Sequence, residues 1–346
     1  LTLDLSPKNI KVIEFTSTNI KLRQNRMLRT QNFGQSDLRL LRVFMTVVES
    51  GGFTPAQIMM NIGQSTISAH MAALEERLNM RLCERGRGGF RVTPEGREVY
   101  EAAQRLFRSI DSFSSEVNAL CGRLSGEIQI GMVDSIVTNP RFPLSAAIAR
   151  FEERQGDVKI YLHIAAPATI ERDVFEGRFD LGIGGYTQQL SGIDYVRLVN
   201  EQQSLYCGRG HPLFDVRPDK VRLEDIVECR LVKRPYVPDE LLPEIGSMQP
   251  AALTEFMEAV AFLVLSGDYI GYLPEHFARQ WVESGRLRPL MSERLRFNST
   301  LELISRKSER QSLAVRHFRN DLIQVFSEIP DTLVAQPASP TSRRRN

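Results

Sequence analysis

The side chains best suited to chemistry stand at the head of one stretch, NIGQSTISAHMAALEERL, residues 61–78. Ile67, Met71, Leu74 and Leu78 recur at helical spacing and form a single apolar stripe. Gln64, Ser65, Thr66, Ser68 and Ala69 fall off that stripe, within the first two turns. A helix that needed only solubility would carry Lys and Glu there. Short polar side chains instead let a backbone approach base edges in a DNA major groove. The Gln64 amide can pair with adenine, Ser65 and Ser68 with several bases, and Ala69 or the Thr66 methyl can touch a thymine methyl. Exposed N–H groups at the helix start also suit a phosphate.

A second cluster follows at once. Arg85-Gly86-Arg87-Gly88-Gly89-Phe90-Arg91 holds three arginines and no acid, with glycines that allow a tight hairpin. Such a wing can lay guanidinium groups along phosphates or in a minor groove. A basic loop alone is commonly just solvated; next to a helix-turn-helix it points to DNA.

Other chemistry finds little support. His70, His163, His211, His276 and His317 are scattered, with no nucleophile-and-base grouping and no phosphate loop. Cys83, Cys121, Cys207 and Cys229 form no CxxC and have no His at metal-ligand spacing, so free thiols are expected and no metal site. A redox switch between Cys207 and Cys229 stays open as an alternative, because spacing does not show whether a bridge can form. Glu152-Glu153 read as the charged face of a surface helix.

The elements that must hold these residues follow from periodicity. Asp37 caps a first helix with Leu38, Leu41, Phe44, Val47 and Val48 inward, ending at Gly51-Gly52. Thr54-Pro55-Ala56-Gln57 opens a second, with Thr54 as cap, and Gly63 caps the third. From Thr93 to about Leu120 one long helix repeats apolar residues at three- and four-residue steps. That suits an arm pairing with a second copy; the alternative is a helix packed on its own domain. From Gly126 onward strands and helices alternate. EIQIGMV, VKIYLHI, FDLGIGGY, RLVKRPYV, YIGYLP and TLELISR read as strands; PLSAAIARFEERQG, TIERDVFEG, ALTEFMEAVAFLVLSG, EHFARQWVESG and about 310–327 read as helices. Such alternation gives parallel sheet in two α/β halves with a cleft between them.

The chain has 346 residues, 42% hydrophobic and 25% charged, with 44 basic against 42 acidic side chains. A net charge of +2 names no partner, so a nucleic-acid footprint must be local. No apolar run approaches the roughly 20 residues of a membrane span, and no signal-peptide pattern opens the chain, so a cytoplasmic location is expected. Residues 1–36 show no strong period and are expected to be a poorly ordered extension, with Met27 a candidate start. The tail from 331, ending PASPTSRRRN, is expected to be disordered.

The block LRLLRVFMTVVESGGFTPAQIMMNIGQSTISAHMAALEERLNMRLCERGRGGFRVTPEGREVY resembles the LysR-type transcriptional regulators. It carries their first helix, Gly-Phe-Thr turn, Gln-Ser-x-x-Ser start, LEERL, ER and TPEG in order. FDLGIGG, GHPL and GYLP are similar to segments of the family's effector domain. The resemblance implies an α plus α/β chain. Residues 37–95 would be a winged helix-turn-helix, 93–122 a linker helix that dimerises, and 126–330 a two-lobed effector domain like periplasmic binding proteins. It further implies promoter double-stranded DNA and a small-molecule effector as partners, with homotetramers, contact with RNA polymerase, and neither a cofactor nor catalysis. DNA contacts would fall on Thr54, Gln64, Ser65, Thr66, Ser68, Ala69, His70, Arg85, Arg87 and Arg91. The cleft would be lined by Asp134, Ser135, Ala165, Ala166, Gly184, Gly185, Arg234, Tyr236 and Thr254. There Arg234 would clamp an anionic group and offset Asp134. Gly63, Ala69 and Cys83 depart from the commoner Ser, basic residue and Phe. The competing functions, an enzyme or a ligand carrier built on the two-lobed domain, lack a catalytic constellation and a signal peptide respectively.

Overall fold

A computed structural model describes residues 33–86, 89–120, 124–154, 156–307 and 311–328. The chain divides into two compact units after Ala103. The expectations for residues 1–32 and 329–346, and those for Arg87 and Cys121, lie outside the described residues.

The first unit builds α1 (Gln35–Glu49), α2 (Phe53–Met60), α3 (Gln64–Leu78), the hairpin β1 (Cys83–Gly86) and β2 (Gly89–Val92), and the start of α4 (Pro94–Leu120). Its core is the stripe foreseen from periodicity: Leu41, Phe44 and Val47 of α1 with Ile67, Met71 and Leu74 of α3, all buried. The caps differ from expectation. Asp37 is not the cap of α1 but lies within its first turn, where it accepts the Gly34 N–H at 2.7 Å. It is buried and pairs with Arg77 of α3 at 2.5 Å, so it ties two helices together. Thr54 is likewise inside α2, because Gly52 takes the cap position with φ of 148°, open to glycine and disfavoured for other residues. Asn61 and Asn79 end α2 and α3 in the left-handed conformation that asparagine tolerates. Thr93 caps α4: its hydroxyl oxygen accepts the Gly96 N–H at 2.9 Å and donates to the Arg81 carbonyl at 2.7 Å.

The second unit is one mixed nine-stranded sheet with helices packed on it. On one side stand β3 (Ser125–Met132), β4 (Asp157–Ile164) and β5 (Leu181–Gly184), mutually parallel and accompanied by α5 (Leu144–Glu152) and α6 (Pro167–Phe175). On the other stand α7 (Leu223–Val227), β7 (Leu231–Lys233), β8 (Ala252–Leu253), α8 (Met257–Leu265), β9 (Ile270–Pro274), α9 (Glu275–Glu283) and β10 (Leu287–Pro289). Two long antiparallel strands join the halves, β6 (Ile193–Gly208) and β11 (Arg296–Arg306), and α10 (Leu313–Ser327) packs on the first half. Each half has its own core. Ile128, Ile130, Leu181, Leu303 and Phe318 fill the first; Leu205, Leu231, Ile270 and Leu295 belong to the second.

The sheet is thus not parallel throughout. Strand β6 escaped the periodicity because IDYVRLVNEQQS mixes polar residues into both faces. The segment ALTEFMEAVAFLVLSG is not one helix either: Ala252–Leu253 pairs with β7, and Phe256 is extended (φ −112°, ψ 141°), so α8 starts only at Met257.

One contact makes a test. A Cβ built on Gly96 would lie 2.1 Å from the Leu82 carbonyl oxygen, backbone that cannot rotate away. Gly96→Ala is expected to destabilise the first unit by about 1–3 kcal/mol or more through overpacking. Urea unfolding followed by circular dichroism checks it; an unchanged midpoint would refute the close approach.

Candidate DNA-reading surface and effector cavity

The reading surface is built by fixing the α3 start and the wing to one support. Gly63 caps α3 with its carbonyl, which accepts the N–H groups of Thr66 (3.0 Å) and Ile67 (3.1 Å); it offers no side chain, so the first-turn amides keep an open approach. Gln64, Ser65, Thr66 and Ala69 are exposed, as is Thr54 on α2. Ser68 and His70 are half-buried. The His70 Nδ1 is buried and has no hydrogen-bond partner among the described residues.

The wing is held by the other end of the same helix. Glu75 Oε1 accepts the N–H groups of Leu82 (2.8 Å) and Cys83 (3.1 Å), which ties the entry to β1 onto α3. Phe90 of β2 meets Phe53 of α2 edge-on at 5.9 Å. The antiparallel register pairs Cys83 with Val92 and Gly86 with Gly89, leaving Arg91 exposed on the strand. Arg85 lies in β1, and Arg87 is outside the described residues.

In the second unit a cavity of about 450 Å³ opens where the halves meet. Five of the expected residues line it: Asp134, Ser135, Gly185, Arg234 and Tyr236. Four do not. Ala165 and buried Ala166 lead into α6, where the Ala165 N–H donates to Met132 (3.1 Å). Gly184 is buried within β5, paired with Glu302. Thr254 is spent on the turn before α8, its hydroxyl accepting the Phe256 N–H at 3.4 Å.

Asp134 does not pair with Arg234. Its Oδ2 accepts the N–H groups of Met257 (2.6 Å) and Glu258 (3.4 Å) at the start of α8, where amides and helix dipole favour an anion. Burial outweighs those bonds and pushes its pKa up to about 6. Arg234 donates to Gln203 Oε1 at 3.3 Å and lies 5.5 Å above the Tyr236 ring. No carboxylate among the described residues comes within ion-pairing reach of it. Tyr236 donates to the Glu255 carbonyl (3.1 Å), and burial raises its phenol.

Residues 38–97 match the family described as bacterial regulatory helix-turn-helix protein, lysR family, and residues 122–327 match the LysR substrate binding domain. The chain belongs to the LysR family of transcriptional regulators. It is 38% identical to the HTH-type transcriptional activator BauR of Pseudomonas aeruginosa, over 82% of this chain and 93% of that one. It is 27% identical to the HTH-type transcriptional regulator BenM of Acinetobacter baylyi, over 69% and 80%. In fold it is similar to CbnR, a LysR family transcriptional regulator, with a TM-score of 0.60 at 18% identity, over 83% of this chain and 98% of that one. CbnR has also been solved with its target DNA, again at a TM-score of 0.60 and at 19% identity, over 84% and 100%.

For this LysR regulator the redox alternative meets a physical obstacle. Burial raises the Cys207 thiol to about 12 and the Cys229 thiol to about 11, and Cys229 Sγ donates to the Asp225 carbonyl at 3.1 Å. Both stay protonated at neutral pH, and the thiolate is the reactive form. His163 stacks on Phe179 at 5.0 Å, His211 is buried, and His276 lies 2.7 Å from Glu201. Among the described residues no group of three or more His, Cys, Asp or Glu could hold a metal, and no helix is long and apolar enough to cross a membrane.

Sequence reasoning missed Glu201. It lines the cavity with its side chain buried, His276 Nε2 2.7 Å from Oε1 and the Gln203 amide donating to Oε2 at 2.6 Å. A signal existed: Glu201 and Gln203 stand two apart in a strand, hence on one face.

Asp134 yields a pH test. Its folded pKa is raised above the usual carboxylate value, so the native state binds the extra proton between about pH 4 and 6. Stability from this group is therefore present at low pH and lost as pH rises through that window. Asp134→Asn is expected to gain in Tm on the unsubstituted protein between pH 4.5 and 7. A pH-independent difference in paired thermal melts would contradict the raised value.

Proposed function

We propose that this regulator reads promoter DNA with the exposed start of α3 and the arginine wing, and that a small anionic effector in the cavity tunes that reading. The observation that carries the effector half is Arg234, a cation facing a 450 Å³ cavity with no carboxylate in reach among the described residues. A half-buried guanidinium with no ion-pair partner among the described residues is favourably met by an anion, so a ligand carboxylate or similar group is the fitting partner. Gln64, Ser65, Thr66 and Ala69 carry the base contacts, with Thr54 and Ser68 beside them. Arg85, Arg87 and Arg91 carry the phosphate contacts. Dimerisation runs through α4, whose Phe113, Val117 and Leu120 are exposed, and tetramers follow the family pattern. RNA polymerase is the downstream partner, the protein works in the cytoplasm, and the function needs no cofactor and no catalysis.

Two measurements test this. Arg87→Ala is expected to weaken binding to all DNA sequences alike and to reduce the salt slope by about one. Gel shifts over a salt series check it, and a loss confined to one operator would refute the phosphate role. Arg234→Gln is expected to leave DNA retardation by the free protein unchanged and to abolish its response to added metabolites. If a metabolite from a thermal-shift screen of carboxylic acids still acts on the variant, Arg234 is not the anchor.

A further inference from the structure

The effector reading uses the cavity walls but gives no role to the loop between β3 and α5, residues 133–138. That loop is anchored in the first half, where the Val133 N–H donates to the Ile183 carbonyl at 3.0 Å. From there it reaches the second half twice. Asp134, 7% exposed, gives its carboxylate to the Met257 and Glu258 amides of α8. Four residues on, Thr138 Oγ1 lies 2.8 Å from His276 Nδ1 of α9, and the opposite ring nitrogen lies 2.7 Å from Glu201. The His276 and Glu201 side chains are 8% and 5% exposed, so their contact is enclosed, and Thr138 meets it from the exposed side. Between the two points Ser135 sits at φ of 64°, a left-handed backbone that a residue with a Cβ seldom adopts unless its surroundings hold it there. The same loop closes on itself, the Thr138 hydroxyl also lying 3.0 Å from the Ser135 carbonyl.

We infer that residues 133–138 form a two-point clasp that holds the halves of the effector unit together over the cavity before any effector arrives. Asp134 and Thr138 are its positioning residues; the α8 amides and His276 are the catches. The hinge strands β6 and β11 connect the halves but impose no closure, since paired strands twist and bend. Closure needs contacts away from the hinge, and among the described loop residues Asp134 and Thr138 supply them. Asp134, Ser135, Ile136, Glu201 and Met257 all line the cavity, so a ligand there lies beside the Asp134 catch and beside Glu201, which holds the His276 catch. It also follows that the anion-favouring start of α8 is already filled by Asp134, and an acidic effector is left with Arg234. This inference rests on the effector reading for its purpose, and not for its geometry.

The test uses the full chain without DNA or effector. Glu152→Cys on α5 and Glu283→Cys on α9, both exposed, carry spin labels, with the four native cysteines replaced by alanine. Labelled chain is diluted into unlabelled chain so that only intrachain distances are read by pulsed electron spin resonance. The parent should give one narrow distance. Asp134→Ala combined with Thr138→Val should lengthen the mean by more than about 2 Å, the scale of domain rearrangement, and broaden it. Each single substitution should fall between. Asp134→Asn should restore the parent distance, because its amide oxygen still accepts the Met257 N–H, a rescue that general loosening of the loop would not give. An unchanged distribution in the double variant overturns the clasp; if that variant does not fold, unchanged distributions in both single variants do so. Opening as expected together with an intact effector response in Arg234→Gln would sink the effector reading and leave the clasp standing. An unchanged distance with a lost response would do the reverse.

Discussion

The antiparallel pairing of β6 with β11 is the constraint on which the effector unit depends. Two parallel-stranded halves have no reason to share a sheet unless something crosses from one to the other. Here the crossing runs from Ile193 opposite Arg306 to Ser204 opposite Arg296, and the register shifts at Leu301/Glu302. The strands are apolar where they serve a core, at Val199 and Leu301 on one side and Leu205 and Leu295 flanking the other. Between those cores neither apolar interior reaches. The residues there, Glu201, Gln203 and Ser299, are polar and buried or half-buried, and they satisfy one another. A cavity with polar walls arises there because two hydrophobic cores end on either side of it.

That origin explains what was legible in the sequence. A core face writes itself as a period: the Ile67–Met71–Leu74 stripe and the alternation in VKIYLHI each follow from one buried side. The wing and the helix caps are nearly as readable, since glycine and threonine signal their geometry locally. Even so, the caps fall before the residues that look like caps, at Gly34 ahead of Asp37 and at Gly52 ahead of Thr54. In both cases a preceding glycine supplied the cap, and the more conspicuous polar side chain was free for another task. For Asp37 that task is the ion pair with Arg77, a long-range contact with no local signature.

The effector site was half legible for the same reason. Asp134, Ser135, Gly185, Arg234 and Tyr236 were found through the order of strands and loops that the family resemblance supplied. Ala165, Ala166, Gly184 and Thr254 were drawn in by adjacency in sequence, yet each is turned to packing or to a turn. Glu201 was missed because its strand is polar on both faces and offers no period. His276 was seen only as a scattered histidine. Its meaning comes from Thr138 and Glu201, which are far from it in the chain and meet it only after both halves have folded.

The two charged residues singled out from sequence show how environment divides roles. Asp134 and Arg234 look like natural partners, and a pair between them would have left the cavity electrically quiet. Instead the carboxylate is met by backbone amides, whose partial charges are fixed and cannot leave. The guanidinium is met by the Gln203 carbonyl oxygen, the Tyr236 hydroxyl and the Tyr236 face. Amides can hold an anion without contributing a full charge, so among the described residues Arg234 is left without a carboxylate in ion-pair contact. Had Asp134 paired with Arg234, an anionic ligand would first have to break an ion pair in a site of low dielectric, losing much of what it gained on entry. Separating them gives the acid a structural task and leaves the base for a ligand.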